Sequence, residues 1–197
     1  MKQAVIVAHP NPDSFNRSVA TAFQQGAESA GGVVLVRDLY AMKFDPCLQR
    51  EELPSEPDFR VSDDVAAERR LLADVDLFVL VYPFWINAPP AILKGYIDRV
   101  LGYGFGFGPD GVGVGPQLAG RKLLSITSSG APRQWVDDTG ALNAVRTLFD
   151  AHLAKVCGLT LIDHLHFGAI FHGMTTAAVE NNLNTVRKIG SSLNLGN

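Results

Sequence analysis

Four short stretches of this chain hold the side chains that chemistry would use. His9-Pro10-Asn11-Pro12-Asp13-Ser14 sets an imidazole, an amide, a carboxylate and a hydroxyl within six residues. Phe15, Val19, Phe23 and Ala27 follow at i, i+4 spacing, so the stretch reads as a helix start with Ser14 or Asp13 as its N-cap. Free backbone N–H groups beside the positive end of a helix dipole suit a phosphate, although an ordinary capped helix start has the same appearance. Pro83-Phe84-Trp85-Ile86-Asn87 places three large apolar side chains on a tight loop, where they need something flat to pack against. Thr127-Ser128-Ser129-Gly130 can offer hydroxyls and backbone N–H groups to a polar ligand edge, or can be merely a turn. His164 and His166 alternate in HLHF, as structural residues or as the edge of a pocket, whereas His152 lies on an apolar helix stripe and reads as core. No pair of residues carries the spacing of metal ligands, and no catalytic acid or base stands out.

The elements that must position these residues are legible from periodicity. Leu77 to Tyr82 is an unbroken apolar run, the signature of a strand buried on both faces. Pro83 ends it, having no N–H for a neighbouring ladder. Pro89 and Pro90 fit the first turn of a helix, continued by Ala91, Ile92, Leu93, Tyr96, Ile97, Val100 and Leu101. Ala4–Ala8 and Val33–Val36 are two earlier strands, with Gly31-Gly32 closing the helix between them. Residues 48–63 are charged and proline-punctuated, a surface excursion. Asp64–Ala73 is a helix with Val65, Leu71 and Leu72 inward. Lys122–Thr127 is a fourth strand and Leu159–Ile162 starts a fifth, extendable to Phe167. Between them Leu142, Val145, Leu148, Phe149, His152, Leu153 and Val156 mark a helix stripe. Val179, Leu183, Val186, Ile189 and Leu193 mark the closing helix.

Residues 102–115, GYGFGFGPDGVGVG, hold seven glycines. They contain a G-x-G-x-x-G match that follows a helix and has a proline where a phosphate-binding helix should begin, so it is no dinucleotide fingerprint. The segment is a flexible loop or a mobile edge carrying Tyr103, Phe105 and Phe107 to a ligand pocket.

At 197 residues, one domain is expected over 1–197. The net charge of −3 argues against nucleic acid or an anionic membrane as partner. Two cysteines, Cys47 and Cys157, fit a reducing compartment. The N-terminal apolar run is cut at His9-Pro10, too short for a signal sequence, and no stretch approaches a membrane span. A cytoplasmic protein without membrane insertion is expected.

Five strands alternating with helices predict an α/β fold, a parallel sheet covered on both faces with right-handed connections. Such sheets bind ligands beyond the carboxyl ends of their strands, where strand order reverses; flavodoxin, with order 2-1-3-4-5, is the standard example of that rule. The loops after strands 1, 3 and 4 would then meet at one switch point.

Taken together, AHPNPDSFN (8–16), DLYAMKFDP (38–46), YPFWINAPPAILKGYIDRV (82–100) and LLSITSSG (123–130) resemble the flavodoxin-2 family of NAD(P)H:quinone oxidoreductases, over most of the chain and in the same order. The resemblance implies a flavodoxin-like fold, a tightly held flavin (FAD, with FMN as the alternative), and two-electron reduction of a quinone or similar small acceptor by NAD(P)H. By resemblance His9, Ser14, Phe15 and Asn16 match the segment that holds the flavin phosphates. Pro83, Phe84, Trp85 and Ile86 match the loop along the isoalloxazine, and Thr127, Ser128, Ser129 and Gly130 the loop at its pyrimidine edge. Asn87 and Trp135 fall where the substrate would be bound. The family is commonly dimeric, which implies a homodimer with the pocket completed at the subunit contact.

This chain also departs from the family. Where the animal enzymes carry a tyrosine and a histidine assigned to charge relay, ungapped counting from Thr127 gives Trp135 and Ala141, neither of which relays a proton. The family's Q-W-F reads Trp85-Ile86-Asn87, and the segment between strands 2 and 3 is shorter. An electron-carrier flavodoxin and a regulatory flavoprotein subunit of a potassium efflux system are the alternative functions at this stage.

Overall fold

The apolar runs do form strands, and the computed structural model describes residues 1–195. The long strands are β1 (Lys2–Val7), β2 (Val33–Asp38), β3 (Leu77–Pro83), β6 (Lys122–Ser128) and β7 (Thr160–Phe167). They pair in parallel in the order β2-β1-β3-β6-β7, which for the five long strands is the expected 2-1-3-4-5. Pro83 does not stop β3 short: it closes the strand opposite Ser128, where its missing N–H is not needed, and Phe84 N–H donates to the Ser128 carbonyl at 2.7 Å. The glycine-rich segment is no mere loop, for it folds back as a small antiparallel hairpin of β4 (Phe107–Pro109) and β5 (Val114–Pro116).

Strict alternation divides the core in two. Val5, Val7, Leu77, Val79, Val81, Leu124 and Ile126 face α1 (Phe15–Ser29) and α7 (Thr176–Leu195). Those two helices cross closely because Gly26 and Gly190 sit at the contact: a Cβ on Gly26 would lie 2.1 Å from the Arg187 carbonyl oxygen. Ala4, Ile6, Phe78, Leu80, Tyr82 and Leu123 face the other layer, which contains α2 (Asp63–Leu72), α3 (Ala91–Val100) and α4 (Arg133–Asp138). It is completed by α5 (Ala141–Val145), which runs through a π-helical stretch (Arg146–Ala151) into α6 (His152–Cys157).

Three expected inward positions are reversed. Leu71 is exposed, and the α2 position buried in its stead is Glu68, held by Arg37 and the Tyr96 hydroxyl. The π-helical stretch adds residues to a turn, and so breaks the 3.6-residue stripe. Leu148 is consequently 77% exposed, Asp150 is fully buried, and His152 is a surface residue rather than a core one. No helix among the described residues is long and apolar enough to cross a membrane.

Candidate active site

The carboxyl ends of β1, β3, β6 and β7 open on one cavity of about 410 Å³. His9, Asn11, Asp13, Ser14, Phe15 and Asn16 form one wall, and Pro83, Phe84 and Trp85 the facing one. Ser128, Ser129 and Gly130 make the inner end, and Ile170, Phe171 and His172 close a fourth side.

The first wall is the start of α1. Ser14 caps the helix, its hydroxyl accepting from Arg17 N–H at 3.3 Å. The N–H groups of Phe15 and Asn16 have no acceptor among the described residues, as the first turn of a helix dictates. His9 is oriented by Asn11, whose N–H donates to Nδ1 at 3.1 Å, so the proton of the neutral ring sits on Nε2. Burial lowers the pKa of His9 and keeps it neutral. The aromatic wall is set by a two-residue turn. Trp85 and Ala88 exchange both backbone hydrogen bonds at 3.1 Å, with Ile86 and Asn87 both at φ +53°. That is type I′ geometry, which normally selects Asn-Gly, and a β-branched residue held there is strained by about 1–3 kcal/mol. Trp85 is left beside His9, ring centroids 5.6 Å apart, while Phe84 stacks back on Tyr82.

The inner end is pinned on every side. The Asn16 amide and the Ser128 hydroxyl bond to each other at 3.0 and 3.2 Å, joining α1 to β6. Ser129 N–H donates to the Phe167 carbonyl, and Ile170 N–H to that of Ser129, both at 2.9 Å. The N–H groups of Gly130 and Ala131 have no acceptor among the described residues. Aromatic walls, a helix start bearing free N–H groups and a second pair of free N–H groups together suit a flat conjugated ring with an anionic tail.

Ten of the expected residues therefore share the cavity: His9, Ser14, Phe15, Asn16, Pro83, Phe84, Trp85, Ser128, Ser129 and Gly130. Four lie outside its wall. The turn thrusts Ile86 into solvent, 99% exposed, and carries Asn87 out with it. Trp135 is half-exposed on α4. Thr127 points down from the strand end and is buried beneath the floor. Tyr103 and Phe107 also lie elsewhere, beside an apolar groove with Leu48, Leu53 and Leu148. Residues 170–172 were missed by sequence reasoning, although the rule that used the ends of strands 1, 3 and 4 applies equally to strand 5.

Beneath the floor lies a buried polar cluster on one face of the sheet. Ser125 pairs with His164 and Thr127 with His166 in the β6–β7 ladder. A bulge in β7 puts these histidines on that face: Leu123 opposes Leu161 but Leu124 opposes Asp163. Thr127 Oγ1 lies 2.7 Å from His164 Nε2 and 2.9 Å from His166 Nδ1, and Ser129 Oγ lies 3.0 Å from His166 Nε2. Asp150, brought inward by the π-helical stretch, bonds His164 Nδ1 through one carboxylate oxygen and accepts from the Ser125 hydroxyl through the other. Burial, repulsion from His164 and repulsion from Arg133 push the pKa of His166 down to about 4.

That displacement has a consequence for stability. His166 titrates lower in the folded chain than in the unfolded one, so its contribution is complete above pH 6.5 and is lost as pH falls toward 4. The gap from 6.5 to about 4 corresponds to about 3 kcal/mol. Urea unfolding between pH 7 and 4 should show this decline in the native sequence, and His166→Gln should remove that part of the slope. Parallel pH profiles for the two proteins would contradict it.

The comparisons with known proteins agree with this geometry. The model of the Flavodoxin_2 family, described as a flavodoxin-like fold, matches residues 1–189. A Haemophilus influenzae protein named as an uncharacterised NAD(P)H oxidoreductase is 34% identical over 172 residues, 86% of this chain and 85% of its own. The ribosyldihydronicotinamide dehydrogenase (quinone) of Mus musculus is 32% identical over 155 residues, 70% of this chain and 67% of its own. The solved structure of the NAD(P)H:quinone oxidoreductase from Methanothermobacter marburgensis superposes with a TM-score of 0.83 at 28% identity, covering 98% of both chains.

Proposed function

The chain belongs to the Flavodoxin_2 family of flavodoxin-like folds, and on that premise we propose that it is a flavin-dependent NAD(P)H oxidoreductase that reduces a quinone or similar small acceptor by two electrons. The observation that carries this reading is the meeting of a phosphate-suited helix start, an aromatic wall and a donor-rich turn around one cavity. A bound flavin supplies hydride acceptance from the nicotinamide and hydride donation to the acceptor.

The chain supplies position and electrostatics. Phe15 and Asn16 N–H, with the Ser14 hydroxyl and His9 Nε2, would hold the phosphate at the helix start. Phe84 and Trp85 give the ring a flat surface. Gly130 and Ala131 N–H are oriented donors for negative charge that accumulates at the ring's polar edge during reduction, and they need no reorganisation to act. Asn16, locked to Ser128, keeps the phosphate end and the polar edge in register.

FAD is the cofactor we favour over FMN. A second groove of about 410 Å³ along α1 and α7, lined by Arg17, Ser18, Thr21, Gln25 and Arg187, meets the cavity at Asp13 and gives an adenosine half a place to lie. The homodimer is proposed through the apolar groove around Leu48, Leu53, Ile97, Leu101 and Leu148. A cytoplasmic location is proposed with it.

The reading is tested on purified full-length protein. Heat-released cofactor should be FAD by mass, and the loaded protein should oxidise one NAD(P)H per quinone reduced under anaerobic conditions. FMN in its place would overturn the cofactor choice, and a protein that binds neither flavin would overturn the enzyme.

A further inference from the structure

We propose that Asp150, His164, Thr127, His166 and Ser129 form a proton wire that stores one proton in the sheet and exchanges it with the cavity at Ser129 Oγ. The proposal rests on the oxidoreductase reading. Reduction of a quinone by NAD(P)H takes up one proton beyond the hydride: NAD(P)H, quinone and H⁺ give NAD(P)⁺ and hydroquinone. At the buried inner end of the cavity, lined by Phe84, Ser128 and Ser129, a hydrogen-bonded chain of side chains offers an internal source for it.

The hydrogen bonds define two arrangements that differ by one proton. With His164 neutral, its Nδ1–H donates to Asp150 and its Nε2 accepts from the Thr127 hydroxyl. Thr127 Oγ1 then accepts from His166 Nδ1–H, and His166 Nε2 accepts from the Ser129 hydroxyl. In the second arrangement His164 is an imidazolium against the Asp150 carboxylate and donates from both nitrogens. Thr127 accepts from His164 and donates to His166 Nδ1, His166 donates from Nε2 to Ser129, and the Ser129 hydroxyl donates to the Ala131 carbonyl at 2.8 Å. Every polar atom of the chain of bonds is satisfied either way, since the Ala131 carbonyl also accepts from Ala169 N–H at 2.8 Å.

Passing between them moves four protons by one bond each. A proton arriving from the cavity joins Ser129 Oγ, whose own proton passes to His166 Nε2. The His166 Nδ1 proton passes to Thr127, and the Thr127 proton to His164 Nε2. The reverse sequence delivers one proton to the cavity wall. In this transfer His166 gains no second proton; it only exchanges tautomers. The surroundings favour that division: Asp150 is fully buried against His164, whereas Arg133 lies beside His166, its guanidinium donating to the His166 carbonyl. The other ionisable groups nearby are Asp137, paired with Arg133; Asp163, whose carboxylate accepts from His164 N–H and pairs with Arg146; and Tyr82, which burial and Asp150 keep un-ionised. Two local insertions build the wire, the bulge in β7 and the π-helical stretch carrying Asp150, and both device types gather at functional sites.

The test is imidazole nitrogen NMR on the full chain, with and without reconstituted flavin, followed by single-turnover reduction of the acceptor. His166 should change from the Nδ1–H to the Nε2–H tautomer over the same pH interval in which His164 gains its proton. Thr127→Val should uncouple the two, and Ser129→Ala, at the outer end, should leave the His164 protonation intact should Thr127→Val misfold. Both variants should slow acceptor reduction on the order of a hundredfold, the low end of what a positioned proton donor contributes, and change its solvent deuterium isotope effect. A His166 tautomer that stays fixed while His164 titrates overturns the wire. So does a variant with an unchanged rate and isotope effect, which would leave the cluster a static strut. A chain that shows the coupled tautomers yet binds no flavin would instead sink the oxidoreductase reading.

Discussion

Asp150→Ala should cost about 3–5 kcal/mol of folding stability, the range for removing one partner of a buried charged pair. The carboxylate is fully buried, and its two oxygens serve His164 Nδ1 and the Ser125 hydroxyl at 2.8 Å. Alanine leaves both without a partner in a face that the sheet and the π-helical stretch seal from water, and opens a void as well. In a domain of this size that corresponds to a melting temperature lower by roughly 6–20 °C. Asp150→Asn should cost about 1–3 kcal/mol, because the amide oxygen can still accept one bond and the volume is kept. Calorimetry of the two variants checks the contrast. Equal and small losses would mean that Asp150 carries no buried pair.

Gly130→Leu should lower flavin affinity on the order of a hundredfold, about 2.7 kcal/mol, while leaving the melting temperature of the flavin-free chain in place. The physical reason is that nothing in the fold requires glycine there. Its backbone lies outside the positive-φ region, and an added Cβ would meet only the Ile170 carbonyl oxygen, at 3.8 Å. Both residues border the cavity, so a larger side chain takes the space above the donor-rich turn. Fluorescence titration with FAD and FMN measures the loss. Unchanged affinity would mean that the ring lies against a different wall. Gly168 provides the control for a structural glycine: a Cβ on it would lie 2.2 Å from Arg133 N, so Gly168→Ala should lower stability itself.

The sheet was readable in the sequence because parallel strands buried on both faces leave unbroken apolar runs, as Leu77 to Tyr82 does. The three turns of the site were readable for a related reason: proline, serine and glycine punctuate the strand ends where the rule for open sheets puts a ligand. What stayed hidden was every feature made by inserting residues into a regular element. Periodicity turned Leu148 inward and left Asp150 out, since a 3.6-residue stripe has no sign for a π-helical turn. HLHF announced an alternating strand, but which face its histidines take depends on a bulge two residues earlier, at the Leu161–Asp163 step. Ile86 was misplaced because Trp85–Ala88 adopts a turn that usually calls for glycine, and none is present. In each case long-range packing sets the geometry, and no local propensity records it.

The most direct measurement of the central claim is a crystal structure of the chain loaded with its flavin. The account predicts the ring against Phe84 and Trp85, its polar edge at Gly130 and Ala131 N–H, and its phosphate on Phe15 and Asn16 N–H. A flavin bound at any other surface, or a cavity into which none can be loaded, would contradict it.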